Sequence, residues 1–128
     1  MKQVRPSDLE MQVLGVLWEN GPATVRHVLD AMPDGKQRAY TTVLSVMQVM
    51  EKKGLLDHTR DGLAHVYRPR VTRSQVYRPL MKDLLKNLFA GKASTAMQFL
   101  LAEAEVDEAE LKEIRKLINE RAAKEGQR

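Results

Sequence analysis

AYTTVLSVMQVMEKKGLLDHTRDGLAHVYRP, residues 39–69, changes its hydrophobic period once. Up to Met50 the apolar side chains Val43, Val46, Met47 and Met50 recur at helical spacing, which predicts a helix from about Thr41 to Lys53, closed by Gly54. From Leu55 the period becomes two. Asp61-Gly62 has the composition of a type I′ turn, so LLDHTR and LAHVYR read as two short strands, the second ended by Pro69. With Asp61-Gly62 as a two-residue loop, Arg60 faces Leu63, Thr59 faces Ala64 and His58 faces His65. The helix also carries small hydrogen-bonding residues. Thr41, Thr42, Ser45 and Gln48 stand at i, i+1, i+4 and i+7, on one exposed side opposite Met47 and Met50.

On the N-terminal side, Ser7 and Glu10 form a capping box for a helix whose stripe is Leu9, Val13, Leu14, Val16 and Leu17. NGPAT (20–24) breaks it, and Thr24 caps a short second helix with Val25, Val28, Leu29 and Met32 turned inward. PDGK (33–36) is turn chemistry. Trp18 reads as packing and His27 as a surface or backbone-contact residue. On the C-terminal side, Thr72 opens a long helix striped by Val76, Leu80, Leu84 and Leu88, with Tyr77, Met81 and Leu85 beside them. AGKAS (90–94) ends it, and Ser94 is expected to cap a helix reaching about Ala102. Asp107 with Glu110 caps a last helix carrying Leu111, Ile114, Leu117 and Ile118, and AAKEGQR is expected to fray.

Three helices, a hairpin and three more helices make a chain that is mainly α with one small β-hairpin. The first four of these elements have the layout of a winged helix-turn-helix, in which the third helix enters the major groove and the hairpin lies along the backbone. Charge agrees. The net charge is +4, but residues 36–73 hold eight cations against three acids, while residues 103–113 hold six acids against Lys112. A polyanion belongs with the middle of the chain. Short hydroxyls at the start of a recognition helix bond phosphates or base edges, and threonine methyls meet thymine methyls. Capping explains Thr41 alone and not the set. The candidate DNA-facing residues are Thr41, Thr42, Ser45 and Gln48, then Lys52 and Lys53 at the helix end, and Arg60, His65 and Arg68 on the hairpin.

Other functions are excluded or left as rivals by composition. The chain has no cysteine, which removes disulfides, thiol catalysis and sulfur-ligated zinc. Ser7, Ser45, Ser74 and Ser94 lack a nucleophile motif, and no glycine-rich phosphate loop occurs, so neither a catalytic residue nor a cofactor is expected. His58 and His65 are too few ligands for a metal without a carboxylate nearby, and they read as a solvated, phosphate-facing pair. No apolar run approaches the ~20 residues of a membrane span, and MKQVRPSDLE is too polar for a secretory signal, so a cytoplasmic protein is expected. Two rivals stand beside specific DNA binding: a helical protein-interaction module, and a winged helix without sequence preference.

LEMQVLGVLWENGPATVRHVLDAM, AYTTVLSVMQVMEKKGLL and RDGLAHVYRP, with LKEIRKLI near the end, closely resemble the penicillinase-repressor (BlaI/MecI) family, through essentially the whole chain. The resemblance implies a homodimeric transcriptional repressor that binds double-stranded operator DNA. It implies a winged-helix DNA-binding domain at 1–71 and a helical dimerisation domain at 72–128, and places recognition positions on Thr41, Thr42, Leu44 and Ser45. In the β-lactam-resistance members a metalloprotease cuts an Asn-Phe bond to release the operator. The matching bond here is Phe99-Leu100, which makes that segment the candidate cleavage region and a membrane sensor metalloprotease the candidate partner. The copper-responsive members bind metal through cysteines that this chain lacks. A second, residue-level argument also favours a dimer: the stripes of Leu80, Leu84, Leu88, Leu111, Ile114 and Ile118 are too apolar to leave exposed on so short a C-terminal stretch.

Overall fold

The structure, a computed structural model, describes residues 5–127; the start of the polar N-terminus and Arg128 lie outside it. The chain divides into two compact units, Met1–Lys82 and Asp83–Arg128, with the division inside a helix. It is mainly helical with one two-stranded antiparallel sheet.

In the first unit the order is α1 (Asp8–Asn20), α2 (Val25–Asp30), α3 (Tyr40–Lys52), β1 (Leu56–Asp61), β2 (Ala64–Pro69) and the first part of α4 (Arg73–Phe89). Local chemistry sets the helix ends. The Ser7 hydroxyl accepts from the Glu10 N–H, and the Glu10 carboxylate accepts from the Ser7 N–H. Thr24 caps α2 through the His27 N–H, and Thr72 and Gln75 form a reciprocal box that opens α4. At the end of α3, Leu55 N–H reaches back to Met50 O and Gly54 N–H to Glu51 O. That is a Schellman motif, and Gly54 supplies the left-handed residue it needs, at φ 83°.

The inward faces meet in one core: Val13, Leu14 and Leu17 from α1, Val28 from α2, Val43, Met47 and Met50 from α3, then Leu55, Leu56, Tyr67 and Val76. Tyr67 is 1% exposed, and burial pushes its hydroxyl pKa upward, helped by the nearby Glu51 carboxylate. Its backbone forms a two-way bridge with Ala23, N–H to O in both directions at 2.8 and 2.9 Å. The hairpin is thereby stitched to the α1–α2 turn. Trp18 packs as read, edge-to-face on Tyr77 at 5.6 Å, while its indole N–H donates to Val71 O. Val76 and Leu80 of α4 also pack on this core.

Glu10 is the one buried charged residue described. Burial opposes its charge, yet the Ser7 amide and the Lys53 ammonium, 3.0 Å from Oε2, outweigh that and hold its pKa below the ordinary glutamate value. The pair ties the start of α1 to the end of α3.

The second unit holds the end of α4, α5 (Ala93–Glu103) and α6 (Glu108–Gly126). The α4–α5 turn passes through two left-handed residues, Ala90 (φ 51°) and Gly91 (φ 79°). Phe89 and Phe99 meet at 6.0 Å, and Asp107 caps α6 through the Glu110 N–H. Two expectations need correcting. Ser94 lies inside α5, whose cap position is Lys92 with no side-chain bond, because the helix begins two residues earlier than a Ser94 cap would place it. The segment expected to fray continues α6 to Gly126, since alanines and long charged residues favour helix, and Arg121 pairs with Glu125 one turn on. Among the described residues no helix is long and apolar enough to cross a membrane.

Replacing Glu10 with Gln should destabilise the first unit by about 1 kcal/mol at neutral pH, a modest figure because the Lys53 side chain is half in solvent. A carboxyl whose pKa is lowered on folding contributes above its unfolded value and loses that contribution as pH falls through the folded value. Urea unfolding of wild type and Glu10→Gln should therefore differ at pH 7 and converge in strong acid.

Candidate nucleic-acid interface

Helix α3 turns Val43, Met47 and Met50 into the core, and this leaves Thr41, Thr42, Ser45, Gln48 and Lys52 exposed along the other side. Leu44 is half-buried at the edge of this face. Thr41 is not a cap: the cap position is Ala39, which makes no side-chain bond, and α3 begins at Tyr40. Its hydroxyl is available for other work. Val49 lies 45% exposed on the same helix, where periodicity alone did not place it.

The hairpin differs in register from expectation. Asp61 pairs with Ala64, Arg60 with His65, Thr59 with Val66 and His58 with Tyr67, so the loop is Gly62-Leu63. Gly62 has φ 64° while Leu63 does not adopt positive φ, the pattern of a Gly-X type II′ turn rather than type I′ on Asp61-Gly62. The slip moves each partner by two residues, so every side chain keeps its face. His58 and His65 therefore still meet, but diagonally, with rings stacked at 4.3 Å. His58 Nδ1 also lies 2.8 Å from both Glu51 carboxylate oxygens. Leu63, at the tip, is wholly exposed.

The cations divide into two sets. Lys53 is engaged by Glu10, Arg38 forks onto Asp34 at 2.9 and 2.6 Å, and Arg68 pairs with Asp57 at 3.2 Å while donating to Thr59 Oγ1. Hydrogen bonds from Arg38, then from the Lys36 amide, hold the Asp34 carboxyl well below the usual carboxylate range. Lys52 and Arg60 are exposed, with Arg60 Nε 3.5 Å from His65 Nε2. Of the predicted cations, then, Lys52 and Arg60 face solvent with the fewest internal ties, while Lys53 is largely structural.

Between the start of α2, helix α3 and the hairpin runs a groove of about 470 Å³, bordered by Arg26, Tyr40, Leu44, Gln48, Leu63 and His65. Arg26 and Tyr40 were not singled out from the sequence. Spacing shows Arg26 opposite Val25 and Val28, hence exposed, but only folding brings it over the Tyr40 ring, 5.0 Å from the centroid.

A family model described as "Penicillinase repressor" matches residues 6–120. The chain belongs to the penicillinase repressor family. "Transcriptional regulator BlaI" of Mycobacterium tuberculosis is 35% identical, over 99% of this chain and 92% of that protein. "Penicillinase repressor" of Bacillus licheniformis is 21% identical, over 89% of each. The solution structure of the DNA-binding domain of the repressor BlaI is similar at TM-score 0.51 and 26% identity, covering 58% of this chain and 90% of that one. Membership places the chain among transcriptional repressors and outside the enzymes. Among the described residues no cluster of three or more His, Asp and Glu could hold a metal, the stacked histidines included.

The remaining predicted positions fall in both units. Leu80 packs on the core of the first. In the second, Leu84 and Leu88 are exposed, Leu111 and Ile114 half-buried, and Ile118 is 56% exposed. Phe99 and Leu100 are exposed side chains in the middle of α5.

Two threonines separate cap from surface. Thr72→Ala should cost about 1 kcal/mol, because it removes a capping bond, whereas Thr41→Ala should stay within about 0.5 kcal/mol of wild type. Thermal melts of both variants test this, and a large loss at Thr41 would restore the capping role.

Proposed function

We propose that this chain is a sequence-specific DNA-binding repressor of transcription that acts in the cytoplasm as a homodimer. Each winged-helix unit docks on one half-site of a roughly palindromic operator and blocks transcription by occupancy. The observation that carries this reading is the α3 face: Thr41, Thr42, Ser45 and Gln48 are exposed together, uncharged and rich in donors and acceptors, with Lys52 and Arg60 on the flanks. A face of that chemistry suits base edges in the major groove, while the flanking cations suit phosphates. The similar solved domain, a DNA-binding domain of a repressor, supports the same reading.

Homodimerisation is favoured by the second unit's own composition. Neither α5 nor α6 has a buried residue, and Leu88, Phe99, Leu100, Leu101, Leu117 and Ile118 are all 40% or more exposed. Burying such side chains against a second copy removes them from water at roughly 25 cal/mol per Å². Linking two half-site contacts then raises operator affinity without any new contact. For release, a sensor metalloprotease cutting at Phe99-Leu100 remains the candidate, and it would have to unwind α5 locally to reach that bond.

Selection of duplexes from a random library, followed by binding to the enriched and scrambled sequences, tests the DNA reading. Wild type should prefer the enriched duplex, and Thr42→Ala should lose about 1–3 kcal/mol on it with little change on the scrambled one. Equal affinity of wild type for both would leave a winged helix without sequence preference, and no binding to either would leave a protein-interaction module. Sedimentation tests assembly independently: wild type should be dimeric at micromolar concentration, and Leu84→Asp, which would bury an unpaired charge, should shift it to monomer. A monomeric wild type overturns the occupancy mechanism as stated.

A further inference from the structure

From the cation–π contact at the edge of the groove, we infer that Arg26 is a DNA-backbone contact, a phosphate clamp that Tyr40 holds in position beside the recognition helix. The inference rests on the DNA reading above and adds a residue pair to it. Arg26 is the second residue of α2 and Tyr40 the first of α3, so the pair stands at the N-terminal end of the exposed α3 face. Both side chains are accessible, Tyr40 at 40%.

Three features together point to Arg26. First, its charge is not neutralised. Arg38, Lys53, Arg68, Arg70 and Arg73 each have a carboxylate within 4.0 Å, whereas Arg26 has none among the described residues. Second, it is held without being discharged. A guanidinium lying over an aromatic face keeps its full charge and its donor edge, and the ring restricts the rotamers that binding would otherwise have to freeze. Third, its place is complementary to what α3 lacks. The base-facing set Thr41, Thr42, Ser45 and Gln48 carries no cation, so the phosphates beside it must be met from outside the face. Lys52 serves the C-terminal end of α3, and Arg26 serves the N-terminal end. The ligand is a phosphodiester of duplex DNA, whose two non-bridging oxygens a guanidinium meets with two parallel N–H donors. Because that contact carries no base information, Arg26 contributes affinity and register but not sequence preference.

The test uses the full-length chain, the library-enriched duplex and a mixed-sequence duplex, with affinity measured across a salt series. Arg26→Ala should flatten the slope of log affinity against log salt by about 0.9 on both duplexes and leave their affinity ratio unchanged. Arg26→Lys should retain the slope. Tyr40 is a positioning residue, so Tyr40→Ala should weaken binding several-fold when Arg26 is present and have no further effect in the Arg26→Ala background, while Tyr40→Phe retains most of the affinity. Unaltered melting temperatures show that the variants fold. An unchanged slope in Arg26→Ala, with wild type binding normally, overturns the clamp and leaves the DNA reading intact. Equal effects of Tyr40→Ala in both backgrounds overturn the positioning role. Failure of wild type to bind either duplex overturns the DNA reading and the clamp together.

Discussion

The two backbone hydrogen bonds between Ala23 and Tyr67 are the constraint on which the arrangement of the first unit depends. A two-stranded hairpin alone is marginal in water and free to swing on its connections. Here the second strand is anchored twice at one residue: its backbone is paired to the α1–α2 turn, and its ring is sunk in the helical core. Arg70 N–H closes the base of the hairpin on Leu55 O. With the wing held in this way, the groove between it and α3 is built into the packing of the unit. The spacing of Gln48, His65, Arg26 and Tyr40 around it follows.

Charge in this unit is used for two different purposes. Lys53 neutralises the buried Glu10 and joins two helices, and Arg38 locks onto Asp34 in the loop that leads into α3. These cations hold the scaffold. Lys52, Arg60 and Arg26 face outward around an uncharged α3 surface. Separating the two sets keeps fixed positive charge at the edges of the face, where a polyanion's backbone would run, and leaves its centre to hydrogen bonding and methyl contact.

The two units contrast in how they satisfy their apolar residues. The first encloses eleven side chains at 2% exposure or less, from Val13 to Val76. In the second, α5 and α6 bury none, although they carry Phe99, Leu100, Leu101, Leu117 and Ile118. A small helical unit with that composition gains little from folding alone and more from a second surface. Phe99 and Leu100 belong to this same exposed set.

Much of the fold was legible because its signals are local. Helical period, the Ser7–Glu10, Thr24 and Thr72 caps, and Gly54 after α3 each act within a few residues, so sequence alone determined the element order and the exposed face of α3. The wing shows where this stops. Its faces were correct because side-chain direction depends only on parity, but its partners were wrong by two residues because the two-residue loop is Gly62-Leu63 and Asp61 is the last paired residue of the strand, a placement that the dipeptide Asp61-Gly62 does not fix. The contacts that tune the site join residues far apart in the chain: Glu10 with Lys53, Trp18 with Val71, Arg26 with Tyr40. No spacing rule encodes such pairs. A lysine beside α3 looks the same in sequence whether it meets a phosphate or a buried carboxylate, and only the packing of α1 against α3 assigned Lys53 to the second role.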